Sequence, residues 1–224
     1  MTELAIYDMD RTITRTGTYT PFLLHAAMAL DPWRLALSPA VPFVMLAYAL
    51  RLIDRRRLKE LTQRLLIGGR VPRARLAPAV EAFADFVLRT NIHPGALRQI
   101  EQDRAAGRRL VLATASYRFY VEPIARRLRF DDVIATGSVA GLDDIIHARI
   151  DGENNYGPAK LRLIEAWLKA NAIDRPAATV RFYTDHVSDA PVLEWADVAI
   201  AVNPSHGLRL LAAKRGWQTV DWGF

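Results

Sequence analysis

The sequence predicts an α/β fold: a parallel sheet covered on both faces by helices, interrupted after its first strand by an all-helical insert. Three observations carry that reading. Short β-branched and apolar runs alternate with helical stretches outside residues 15–90, as in sheets buried on both faces. Inside residues 15–90 only helical patterns occur. Charge divides at the same boundaries. Residues 15–90 hold 12 Lys+Arg against 5 Asp+Glu, a net of +7, while the rest holds 18 against 19, a net of −1.

The first strand is Leu4-Ala5-Ile6-Tyr7, too short and too uniformly apolar for a surface helix. Helical patterns follow over 18–30, 33–53, 55–67 and 73–89, with Asp31-Pro32, Gly68-Gly69 and Pro72 as starts and stops. Helices over 94–106, 118–128, 158–170 and 205–215 then alternate with strands. Those strands are Leu110–Ala113, Val133–Ala135, Val180–Tyr183 and Val198–Ala201. Residues 134–150, with Gly137 and Gly141, fit a hairpin. The division is therefore an α/β core of residues 1–14 and 91–224, and a helical unit of residues 15–90.

At 224 residues, 51% hydrophobic and 24% charged, wholesale disorder, collagen and coiled coil are excluded. The absence of cysteine excludes disulfides, Cys-ligated zinc, iron–sulfur clusters and thiol nucleophiles. The opening MTELAIYDMD meets acidic residues before any useful apolar run, so no secretory signal and a cytoplasmic location are expected. The net charge of +6 invites a nucleic-acid or anionic-membrane partner. Nucleic acid is disfavoured, because no aromatic residue is interleaved with the basic run and no recognition motif occurs. The five tryptophans are expected as core or cap anchors, and the five histidines receive no catalytic role.

Ligands of open α/β sheets bind beyond the carboxyl ends of the strands. The first strand runs there into Asp8-Met9-Asp10-Arg11-Thr12, whose two carboxylates leave on one side. Such a pair repels itself unless a cation or a shared proton intervenes, and oxygen-only ligands suit Mg2+. A lone pair of this kind serves equally well to cap a helix. The second strand ends Ala113-Thr114-Ala115-Ser116, hydroxyls and N–H groups at a helix start that suit a phosphate. Another ends Tyr183-Thr184-Asp185-His186-Val187-Ser188-Asp189, with carboxylates four residues apart. Lys160 follows Gly157-Pro158-Ala159 in the first turn of a helix, where its charge opposes the helix dipole.

In this order and spacing the four segments resemble the haloacid dehalogenase-like hydrolase superfamily, and more closely its subfamily IB phosphatases. The resemblance covers the whole chain. It implies a Rossmann-like parallel-sheet core with an all-helical type C1 cap after the first strand. It implies a Mg2+-dependent phosphomonoester hydrolase in which Asp8 forms an aspartyl-phosphate and Asp10 is general acid and base. Thr114 and Ala115 would bind the phosphoryl oxygens, and Lys160 would neutralise charge. Mg2+ would be held by Asp8, the backbone of Asp10 and Asp185, with Asp189 supporting it. Arg11 departs from the pattern, since many members have Gly there.

The cap bears on the substrate, a phosphorylated small molecule or lipid. Phosphoserine phosphatases of this branch carry a glutamate where Gly17 stands, so free phosphoserine is disfavoured. Leu35 to Leu50 is a 16-residue stretch without a charge, followed by Arg51, Arg55, Arg56, Arg57 and Lys59. It is expected to pack as a buried cap helix, the basic residues being solvated or at the mouth of the site. The alternative is an apolar helix lying at an anionic bilayer, peripheral to the inner face of a membrane. That arrangement is similar to the phosphatidylglycerophosphate phosphatases of the branch and implies a membrane-associated lipid phosphate phosphatase. A non-catalytic phosphate-binding regulatory module is the further alternative.

Overall fold

The computed structural model describes residues 2–140 and 144–223. The strands are β1 (Thr2–Tyr7), β2 (Arg70–Pro72), β3 (Arg109–Tyr117), β4 (Asp132–Ala140), β5 (Ile145–Asp151), β6 (Ala178–Thr184), β7 (Val198–Val202) and β8 (Gln218–Val220). The helices are α1 (Tyr19–Leu30), α2 (Val41–Ala49), α3 (Arg55–Leu66), α4 (Arg73–Thr90) and α5 (Pro94–Ala105). After these come α6 (Arg118–Arg127), α7 (Pro158–Ala170), α8 (Ala190–Trp195) and α9 (His206–Arg215). The strands form one sheet in the order β2-β5-β4-β3-β1-β6-β7-β8.

The run from β4 through β3, β1, β6 and β7 to β8 is parallel, and β5 and β2 add antiparallel pairs at one edge. Strand β1 is central, with Tyr7 in register with Leu112 on one side and Tyr183 on the other. Its apolar run is explained by alternation. Leu4 and Ile6 enter the cluster containing Ile164, Val180 and Phe182 on one face, while Ala5 and Tyr7 enter the cluster on the other. The chain leaves β1 where crossovers depart to opposite sides, the crevice in which such sheets bind ligands.

The insert is stapled at its root. Thr14 bridges Ile92, and the N–H groups of Arg15 and His93 donate to Asn91 O at 2.8 Å and Ile13 O at 3.0 Å. Its helices share the core's hydrophobic cluster. Phe22 of α1 is fully buried, stacked on Tyr120 of α6 at 4.3 Å between centroids. Burying Phe22 stabilises the closed arrangement by about 2–3 kcal/mol, and the stacked pair adds about 1 kcal/mol.

Several expectations are corrected. The helix expected over 33–53 is a 3-10 segment (Pro32–Ala40) followed by α2, because Pro39 and Pro42 lack the N–H that a continuous helix needs. The apolar stretch is not buried as expected: no residue of α2 is buried, and Phe43 is 73% exposed. Trp33, expected as an anchor, is 62% exposed, whereas Trp222 is buried. The insert is helical except for β2, where Val71 pairs with Ile146 of β5. The hairpin is present as β4 and β5, but Gly141 lies outside the described residues. Among the described residues no helix is long and apolar enough to cross a membrane.

Candidate active site

Asp8 stands at the carboxyl end of β1, its N–H donating to Tyr183 O of β6 at 2.9 Å. The chain then makes a wide turn over Met9–Ile13, in which Arg11 has φ +64°. That left-handed backbone favours glycine, a physical reason for Gly being common at this position. Thr12, fully buried, accepts the N–H of Asp185 at 3.0 Å. Its hydroxyl lies 3.3 Å from Oδ2 of Asp8 and 3.4 Å from Oδ1 of Asp185, holding the two carboxylates in one frame.

Lys160 reaches this frame from the first turn of α7. Gly157 precedes it at φ +59°, a conformation that L side chains resist, and Pro158 starts the helix. The Lys160 ammonium donates to Oδ1 of Asp8 at 2.7 Å and Oδ2 of Asp189 at 2.6 Å. Thr184 donates to the same Asp189 oxygen at 2.8 Å. Burial alone would lower the Lys160 pKa, but Asp189 and Asp8 outweigh it and keep the ammonium charged. Burial raises the Asp8 carboxyl, with Lys160 opposing and Asp189 and Asp185 adding to the rise. Asp185 is pushed up to about 6, mainly by burial, again with Lys160 opposing and Asp189 adding.

Asp10 is held separately. Its Oδ1 accepts the N–H and hydroxyl of Thr18 at 2.6 and 2.7 Å, and its Oδ2 accepts the Ser116 hydroxyl at 2.7 Å. Ser116 belongs to an irregular end of β3, where the register with β4 shifts between Thr114 and Tyr117. Within it the N–H of Ser116 donates to Thr114 Oγ1 at 3.1 Å. The carbonyl of Ala115 accepts Thr136 Oγ1 at 2.7 Å and the Lys59 ammonium at 2.6 Å. Lys59 comes from α3 of the insert and also donates to Asn154 Oδ1 at 3.0 Å. Its burial, with Arg55 nearby, lowers its pKa to about 7 against the pull of Asp10.

Every site residue expected from the sequence lines one cavity of about 520 Å³: Asp8, Asp10, Thr114, Ala115, Lys160, Asp185 and Asp189. The insert adds Gly17, Tyr19 and Arg55 to its wall. Thr18, Ser116 and Lys59 received no role from the sequence. Lys59 sits in a run of basic residues that reads as solvated, yet only 6% of its surface is exposed. Arg55 stacks on Tyr156 at 4.0 Å, and Arg56 donates to Ile150 O at 2.6 Å and Gly152 O at 2.9 Å. The basic run is thus partly structural.

The donor set suits Mg2+. Asp8 and Asp185 are crowded carboxylates whose ionisation burial disfavours, and a hard cation would relieve both. Among the described residues no three acidic or histidine side chains form a metal cage. A metal here would therefore rely on two carboxylates, a backbone oxygen and non-protein ligands, the sparse ligation that Mg2+ favours.

The model of the haloacid dehalogenase-like hydrolases matches residues 5–194, a span that takes in all seven of these site residues. The chain belongs to the haloacid dehalogenase-like hydrolase family. It is 30% identical, over 222 residues, to the inhibition of morphological differentiation protein of Streptomyces azureus, covering 97% of this chain and 78% of that one. A phosphoserine phosphatase of Mycobacterium tuberculosis is 30% identical over 150 residues, 66% of this chain and 47% of that protein. The chain thus spans about half the length of that mycobacterial relative. A solved structure from Bordetella pertussis Tohama I superposes with a TM-score of 0.88 at 28% identity, covering 100% of each chain. A phosphoserine phosphatase solved as a phospho-aspartyl intermediate analogue gives 0.63 at 15% identity, covering 99% and 94%, a likeness of hydrolase fold.

Proposed function

We propose that this hydrolase is a Mg2+-dependent phosphomonoesterase of the subfamily IB type, acting through an aspartyl-phosphate on Asp8. The observation that carries the reading is the Lys160 ammonium bridging Asp8 and Asp189 within one cavity, while Asp10 is held apart by Thr18 and Ser116. One carboxylate is thereby kept beside a cation, as an anionic nucleophile approaching a phosphate requires. The other carboxylate is independently oriented, as a proton donor requires.

In this mechanism an oxygen of Asp8 attacks phosphorus, and the bond from phosphorus to the ester oxygen breaks. Asp10 gives its proton to the departing alcohol. It then takes a proton from the water that attacks phosphorus, the bond to Asp8 breaks, and inorganic phosphate leaves. Thr114 and the N–H of Ala115 bind phosphoryl oxygens, and Lys160 compensates the charge that gathers on Asp8. Mg2+, when bound by Asp8, Asp185 and the backbone oxygen of Asp10, supplies electrostatic stabilisation of the phosphoryl group. Asp189 acts through its hold on Lys160.

Residues 15–90 serve as the cap over a core of 1–14 and 91–224, and the cap selects the substrate. Gly17 lines the cavity without a carboxylate, which argues against free phosphoserine. A lipid-borne phosphate is the second reading, favoured by the exposed apolar face of α2. Asp8→Asn, assayed on an aryl phosphate ester with Mg2+, should lose hydrolysis to background. Wild-type turnover by that variant would end the proposal.

A further inference from the structure

Helix α2 reads VPFVMLAYA, apolar on every side, and a helix of that kind is ordinarily buried. Here none of its residues is buried. Phe43 is 73% exposed, Met45 57% and Leu46 54%, and the patch extends through Trp33 at 62% and Leu52 at 74%. From Leu35 to Leu50 no charge interrupts it. The two acids that bracket the stretch are already engaged. Asp31 pairs with Arg75 at 3.0 Å and Arg34 at 3.5 Å, and Asp54 caps α3 by accepting the Arg57 N–H at 2.7 Å.

We propose that this face, with Arg51 and Arg57 at its edge, docks onto an anionic lipid surface. Charge decides the occupant. Arg51 has no acidic partner among the described residues, and Arg57 reaches only Glu60, at 3.6 Å. A second copy seated on this face about a two-fold axis would bring the same arginines together. An anionic bilayer instead offers them counter-charge while taking up the apolar side chains. Length decides the mode. Nine residues make a helix of about 14 Å, under half of a hydrocarbon core, so α2 lies in the interface rather than across it. Trp33 is of the type that settles at headgroup depth.

The face is continuous with the cleft. A groove of about 850 Å³ runs along Tyr48, Arg51, Leu52 and Arg57 and shares Arg55 and Tyr156 with the wall of the active-site cavity. Docking therefore brings the mouth of the site to the lipid. This consequence rests on the phosphatase reading; the docking itself does not.

The test is sedimentation of the full chain at low salt with phosphatidylcholine vesicles, with and without phosphatidylserine. The wild type should bind only when phosphatidylserine is present. Arg51→Gln with Arg57→Gln should weaken binding by about thirty-fold. Phe43→Ser with Leu46→Ser should weaken it by about tenfold or more while leaving aryl phosphate hydrolysis unchanged, which shows that the variant is folded. Asp8→Asn should bind like the wild type, so loss of the phosphatase reading and loss of the docking reading register separately. No binding by the wild type would overturn the proposal, as would binding that ignores the Phe43 and Leu46 changes. So would a dimer that the same changes abolish, without vesicle binding, since the face would then belong to a second copy.

Discussion

Lys160 on the floor of the cleft and Lys59 in its helical roof are both buried, 2% and 6% exposed, yet they have opposite surroundings. Lys160 touches two carboxylates, and its charge is locked in. Lys59 touches a backbone carbonyl, an amide oxygen and the faces of Tyr117 and Tyr19, at 4.3 and 5.6 Å. Its pKa falls to about 7. Burial is the same in kind for the two; partner chemistry sets the sign of the shift. The floor is thus an acidic frame already supplied with one cation. The roof brings Lys59, whose charged form Asp10 favours, next to the segment expected to hold phosphate.

Removing the floor cation should have the largest effect. Lys160→Met leaves Asp8 and Asp189 buried without their counter-ion. We expect kcat to fall by about a thousand-fold and stability by about 3–5 kcal/mol, read by steady-state kinetics and urea unfolding. A loss confined to KM would break the contrast, because Lys160 would then act as a binding group only.

Lys59→Met should do the reverse. The folded pKa lies below the unfolded one, so between about pH 7 and 10.5 the unfolded chain holds a proton that the folded chain lacks. Wild-type stability therefore carries a penalty below about pH 7 that is relieved as pH rises through this window. Lys59→Met should flatten that rise, by up to about 5 kcal/mol, in unfolding curves taken across it. Parallel curves for the two proteins would show Lys59 to be well solvated. Thr18→Val has the smallest effect, removing one of the three donors to Asp10. It should reduce kcat by about tenfold and stability by about 1 kcal/mol, because the buried Thr18 hydroxyl also pairs with Tyr120. An unchanged kcat would show that the insert does not orient Asp10.

The parallel core was legible because its strands are apolar on both faces, so Leu4–Tyr7 and Val180–Tyr183 announce themselves without context. The candidate site was legible because its carboxylates stand at the ends of such strands. What the sequence hid depends on tertiary contact. Arg70-Val71-Pro72 and Gln218-Thr219-Val220 are strands only because a neighbouring strand pairs with them. Thr18 and Lys59 look like ordinary surface polar residues until the insert folds back onto Asp10 and Ala115. The apolar stretch misled in the opposite direction, since apolarity predicts burial unless something outside the chain provides the cover.

The central claim is a covalent phosphoryl group on Asp8. Wild-type enzyme turning over an aryl phosphate ester with Mg2+ should be quenched in acid, digested and mapped by mass spectrometry. A phosphoryl group on the peptide that contains Asp8, absent from Asp8→Asn, is the expected result. A phosphoryl group on any other residue, or rapid turnover with none on the protein, would contradict it.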